Sequence, residues 1–555
     1  MKKRVLAIML AATMVMGLAA CGSSSAETTT AAAGGETEAA TEAATEAAGG
    51  ETEAATEAAG GETATTGERV DNIAVGISTS KETLVPFQGA SEFSAMVYEP
   101  LADRETFSGE FKGIIMDSYE QLDEKTYEVT IKENVYDSAG NHITAEDVAF
   151  SWNECKSIGE LSETGTVESI EATGDYTVKF TWGDVPALGD FEAQMTNVNI
   201  VSQAAYEASG DGMATQPVGT GPYVVSEFVQ GISVTLEARD DYWAADEADL
   251  MSRQTSPVQT VRFDVITETT QIANALKTGT IDVSADVSVD DVASLQGDSN
   301  FTIEMVDGVQ GYVLYPNCSE ESPLHDENLR QAVLRAVNKA FITAAVQGGA
   351  CDELYAMGAK KYSDYEEAWA DLCPDYDLEE AKDYMSKSEY ADGVTLKLIT
   401  PPMGFNPDIA EIIQGQLAEI GVTLEIDVEE FGNYFANEGN NEAWDFTIAF
   451  LSSNDYITNC WAKYFDTDNT GIEYNGQPAT KNFVIDDELQ ELIDTCTSEE
   501  GHNSENNTAF WSYVMEHAYC CPLVIPQQTV VYDSKIASIG FSGTDKLLVS
   551  AFTFN

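Results

Sequence analysis

The sequence predicts an α/β protein of two or three domains. Three observations carry this. Beyond a leader and a low-complexity stretch, about 490 residues remain, more than one hydrophobic core usually serves. Segments with period-two alternation are followed by segments with apolar residues three and four apart, then by alternation again. After the leader, no segment reaches the roughly 20 apolar residues that a membrane-spanning helix needs.

The leader comes first. Lys2, Lys3 and Arg4 precede an uncharged apolar run from Val5 to Leu18, and Leu18-Ala19-Ala20-Cys21 follows. That order is a secretory signal over 1–20. Small residues before a Cys resemble the bacterial lipobox. The resemblance implies that Cys21 carries a lipid and becomes the mature N-terminus, so the membrane is met through this anchor only. The expected location is the outer face of the cytoplasmic membrane, on the periplasmic side if the cell has an outer membrane.

Residues 22–67 repeat "GGETEAATEAA" and hold no aromatic residue, Leu, Ile or Val. Such a segment cannot bury enough surface to offset its ordering entropy. With Cys21 it reads as a tether, 21–67, that reaches roughly 150 Å when fully extended. The formal charge of the chain is −68, or −71 without the three basic leader residues. Nucleic acid is excluded as a partner, because phosphate binding needs clustered Lys and Arg. Eight cysteines follow Cys21, at spacings that match no zinc pattern, and no disulfide is read from them.

The core elements follow in order. In "LVPFQGASEFSAMVYEPLAD" a short helix starts near Ser94 and Pro100 stops it. In "YEVTIKENVYDSAGNHITAEDVAFSW", Tyr127, Val129 and Ile131 alternate as in a half-buried strand. Thr144 and Asp147 form the start of a helix whose apolar face is Val148, Ala149 and Trp152. "PVGTGPYVVSEFVQGISVTLEARDDYW" opens on a tight turn and continues as a hairpin around Gln230-Gly231. Its glycine pair lacks the Gly-Lys-Ser/Thr ending of a phosphate loop. "VRFDVITETTQIANALKTGTIDVS" reads as strand, helix and strand, with Gly279 just past the helix end. Asp326 caps an expected helix with the stripe Leu329, Val333, Val337, Ala340 and Phe341. "NPDIAEIIQGQLAEIGVTLEI" is a helix, a Gly stop and an alternating strand.

The order of these motifs, from Tyr98-Glu-Pro-Leu101 to "CCPLVIPQQTVVYDSKIASIGF", resembles the extracellular solute-binding proteins of family 5. These serve ABC importers of peptides, nickel and opines. The resemblance implies a two-lobed fold of periplasmic-binding-protein type with an extra inserted subdomain. Lobe I is expected over 68–102, 219–308 and 522–555, the inserted subdomain over 103–218, and lobe II over 309–521.

Enzyme signatures are missing. The four histidines form no H-E-x-x-H, and no nucleophile elbow, dinucleotide fingerprint or kinase set occurs. No catalysis, cofactor or metal is expected. The resemblance instead implies a small organic solute, an oligopeptide first, closed between two lobes and delivered to the transmembrane subunits of an ABC permease. In peptide-binding relatives an Asp after Gly-Trp meets the peptide ammonium. Here Asp455-Tyr456 stands near that place without the Gly-Trp, which makes Asp455 the candidate anchor and puts free dipeptides in doubt. Further candidates for the cleft wall are Phe87, Phe93, Tyr315, Asn317, Tyr456 and Trp461. The alternatives are a surface sensor or adhesion lipoprotein on the same fold, or a binder of an oligosaccharide or metal chelate.

Overall fold

The computed structural model describes residues 69–555, apart from 89–90, 159–163, 165, 187, 245–249, 309, 357, 361, 452–455, 459–463, 467–472, 475–476, 479–481 and 543–545. Cys21, Asp455 and Trp461 therefore lie outside the described residues. Two large sheets organise the rest.

The first sheet has seven strands in the spatial order 301–306, 528–533, 283–284, 70–77, 258–265, 233–238, 223–229. Val70–Ile77 runs parallel to both Val258–Val265 and Val283–Ser284. The helix Ile272–Lys277 forms the crossover, and Gly279 beyond it takes a positive φ of 66° that its missing Cβ permits. The second sheet has six strands in the order 351–353, 521–526, 311–316, 446–451, 394–400, 422–428. All of Gly311–Pro316 is buried. Tyr312 and Leu314 enter one core, and Val313 and Tyr315 enter another. A strand with apolar cores on both faces reads as continuous hydrophobicity for that reason.

A smaller, four-stranded sheet has the order 116–123, 126–131, 177–182, 167–172. The helix Ala145–Ile158 covers it through Val148 and Trp152, and its core merges with that of the first large sheet. At the helix start, Asp147 accepts from both the amide and the hydroxyl of Thr144, at 2.9 and 2.8 Å. This closes the first turn as the residue types foretold.

Gly219 and Gly221 lie where a Cβ does not fit. It would stand 2.0 Å from the Val97 carbonyl oxygen at Gly219 and 2.4 Å from that of Met96 at Gly221. The turn is pressed against the helix Ser94–Val97, and Gly221 donates its amide to Val97. The pair serves backbone packing.

One expected helix divides. The run from Leu329 to Phe341 forms Glu327–Ala336 and Lys339–Ala345. Val337 turns extended, and Asn338 caps the second helix by accepting the Phe341 amide at 3.0 Å. Phe341 is left 59% exposed, off the stripe it was assigned to. The apolar spacing suited one helix, but an Asn that competes for local amides favoured a new start.

Candidate functional site at the double crossing

The chain passes between the two large sheets twice. Val306 ends a strand paired to Gln528, while Gly311 begins a strand paired to Leu451. The return passes from Pro526 to Gln528. The two passages touch: a Cβ on Gly308 would stand 1.9 Å from the Pro526 carbonyl oxygen. Gln527 is fixed from several sides. Its amide donates to Ala350 O at 2.9 Å, its side chain donates to Asp352 at 3.0 Å, and its carbonyl accepts from Gln347 at 3.1 Å.

Strand direction decides which loops open here. In the first sheet, Gln528–Asp533 leaves the crossing and runs antiparallel to Val283–Ser284, which is parallel to Val70–Ile77, itself parallel to Val258–Val265. The loops after Ile77, Val265 and Ser284 therefore open at the crossing. In the second sheet, Phe446–Leu451 runs antiparallel to Gly311–Pro316, and Val394–Thr400 and Val422–Val428 share its direction. The loops after Thr400 and Val428 open there too, and the strand Phe446–Leu451 ends there.

Each wall is braced locally. On the first side, Ser78 donates its amide to Asp286 at 2.6 Å, tying the loops after Ile77 and Ser284 together. Lys81 pairs with the buried Glu92 at 3.2 Å, and Lys546 approaches the same carboxylate at 3.7 Å. On the second side, the Tyr312 hydroxyl accepts the Phe405 amide at 3.2 Å, holding the loop after Thr400.

Beyond Leu451, Tyr456 is partly buried, and its ring meets the His502 imidazole edge-on at 4.9 Å. The next two residues are held by Asp364. One carboxylate oxygen accepts the Ile457 amide at 2.7 Å. The other accepts the Thr458 amide at 3.0 Å and its hydroxyl at 2.7 Å. His502 Nδ1 lies 2.8 Å from the Cys496 carbonyl, so Nδ1 carries the proton. Nε2 then accepts from Asn507 Nδ2 at 3.4 Å.

The other wall candidates sit deeper. Phe87 and Phe93 are buried in the first core, Phe87 against Tyr206 at 5.6 Å, where they pin the segment that leaves Ile77. Tyr315 is buried and stacked on Tyr464 at 5.4 Å. Asn317 donates to the carbonyls of Asn441 and Trp444 at 2.7 and 2.8 Å and accepts the Ser319 amide at 3.1 Å. It follows the strand that starts at Gly311, so it stands about 20 Å from the crossing at the usual rise per residue.

Asp364, Thr458 and His502 escaped the sequence reading. Asp364 reaches its partners across 93 and 94 residues, inside no periodic segment, and Tyr362-Ser-Asp-Tyr365 matches no motif. Among the described residues, no group of three or more His, Cys, Asp and Glu is placed to hold a metal ion. Among them, too, no helix is long and apolar enough to cross a membrane.

Two α/β lobes, a double crossing, and loops from both sheets beside it define a two-lobed binding-protein fold of the periplasmic type. The chain belongs to the bacterial extracellular solute-binding proteins, family 5, whose middle-region model matches residues 110–470. Di/tripeptide-binding protein 1 of Pseudomonas aeruginosa is 28% identical over 291 residues, which is 50% of this chain and 52% of that protein. The match thus spans about half the length of that relative. Among solved structures, a putative peptide binding protein AppA from Clostridium difficile aligns with a TM-score of 0.74 at 18% identity, covering 87% of this chain and 100% of that one. The ABC transporter-associated periplasmic binding protein DppA from Helicobacter pylori, in complex with peptide STSA, aligns with a TM-score of 0.67 at 20% identity, covering 87% and 98%. These likenesses are of fold.

Proposed function

We propose that this protein is the extracellular binding component of an ABC importer. It takes an oligopeptide between its lobes and delivers it to a membrane permease, without chemical conversion. The observation that carries this reading is the convergence of loops from both sheets on the double crossing. A solute there touches both lobes at once, so its binding energy favours their approach. Relatives named for peptides, and a neighbour holding one, support the solute class. The lipid on Cys21 keeps the protein beside the permease.

In this reading Tyr456 faces the solute, Asp455 meets the peptide ammonium, and Trp461 belongs to the same wall. The deeply packed Phe87, Phe93, Tyr315 and Asn317 act as supports behind the surface. An ammonium taken out of water needs a carboxylate, because an unpaired buried charge is costly. Asp455→Ala should therefore weaken peptide binding by about 3–5 kcal/mol with the fold intact. Thermal-shift screening of a library of tripeptides to nonapeptides, then calorimetry on this variant, tests both levels. No stabilisation by any peptide removes the peptide assignment. Peptide binding that ignores Asp455→Ala keeps the class and removes the anchor.

A further inference from the structure

The backbone beyond Tyr456 is fixed from a distant part of the chain. Asp364 belongs to the stretch between the strand Cys351–Glu353 and the helix Leu378–Lys387. Its side chain is 3% exposed, and both oxygens are committed to one short turn, to the Ile457 amide and to the Thr458 amide and hydroxyl. Three hydrogen bonds to a carboxylate are strong for a single side chain. They satisfy amides at the start of a helical turn, as a cap does, but from 93 residues away. His502 supplies the surface on which the Tyr456 ring rests, and its own ring is held by the Cys496 carbonyl. The ring at 456 and the backbone at 457–458 are thus both set by groups outside the segment.

We infer that Asp364 is a positioning residue for solute binding, holding Tyr456 in the cleft wall with His502 as its backstop. The inference rests on the reading that Tyr456 faces the solute. Its physical basis is pre-organisation. A wall residue already in place need not be ordered by the solute, so less of the interaction is spent on ordering. Asp364→Asn keeps the shape but replaces one acceptor oxygen with an NH2 group, which has no acceptor to offer an amide. Asp364→Ala removes both acceptors. Affinity should fall in the order Asp, Asn, Ala.

The test uses the full chain in two arms. Without solute, amide exchange at Ile457 and Thr458 should quicken at least ~10-fold in Asp364→Asn, while Val394–Thr400 stays unchanged. Unchanged exchange at 457 and 458 overturns the inference. A general loss of protection, or a lowered melting temperature, also overturns it, by making Asp364 a fold-stability residue. With the tightest member of the peptide library, Asp364→Asn should bind roughly 10-fold more weakly, through faster dissociation, and Asp364→Ala more weakly still. Equal affinity in all three proteins overturns the positioning role. If the wild-type protein binds no peptide, the peptide reading falls, and the exchange arm still decides whether Asp364 holds the wall.

Discussion

Single side chains in this molecule act most clearly where a carboxylate gathers donors. Asp486 caps the helix Asp487–Cys496 through the Glu488 and Leu489 amides and accepts the hydroxyls of Tyr519 at 2.7 Å and Tyr513 at 3.0 Å. Partial burial works against its charge, but these hydrogen bonds outweigh it and leave the carboxyl below its ordinary range. The sign follows. A group with a depressed folded pKa stabilises fully above its unfolded value, near 4, and loses that contribution as pH falls through the folded value. Asp486→Asn should therefore flatten the acid limb of stability below about pH 4 and leave the neutral side with a loss of about 1 kcal/mol or more. Urea titrations from pH 2.5 to 7 read this directly. An acid limb as steep as in the wild type would show that Asp486 contributes nothing to it.

At the scale of elements, legibility depended on how local the determinants were. The strand Thr126–Ile131, the capped helix Ala145–Ile158 and the hairpin around Gly231 were readable, because alternation, caps and turn residues lie within a few positions of each other. The division at Val337 was missed because one Asn outweighed an otherwise regular apolar stripe. The Asp364 cradle was illegible for the opposite reason, since its partners meet only after folding. The turn at 219–221 joins both cases: the glycines were visible, but their partner, the end of Ser94–Val97, was not. Gly219→Ala would force a Cβ to within 2.0 Å of the Val97 carbonyl oxygen. The backbone must then separate, at a cost of about 1–3 kcal/mol. Chemical denaturation measures this, and a neutral effect would mean that the turn relaxes freely.

Over the whole molecule, the proposed anchor and the crossing each make a testable demand. Cys21→Ser should release it from the membrane fraction into the medium; unchanged association would discard the lipobox reading. Gly308→Ala should push the two passages apart, since its Cβ would lie 1.9 Å from the Pro526 oxygen. Solute-induced compaction, followed by small-angle scattering with the tightest peptide, should then shrink or vanish. Full compaction in the variant would show that the passages need not touch. That contact has a mechanical consequence. Two bodies joined by one strand can swing and twist about it in any direction. Two strands lying against each other behave like a pair of bonds in a ring, so neither can rotate without carrying the other. The relative motion of the lobes should then reduce to roughly one angle. Under the proposed function, a ligand would then be gauged by a single number, the opening at which both walls meet it, and ligands of different length would be sorted along that one coordinate.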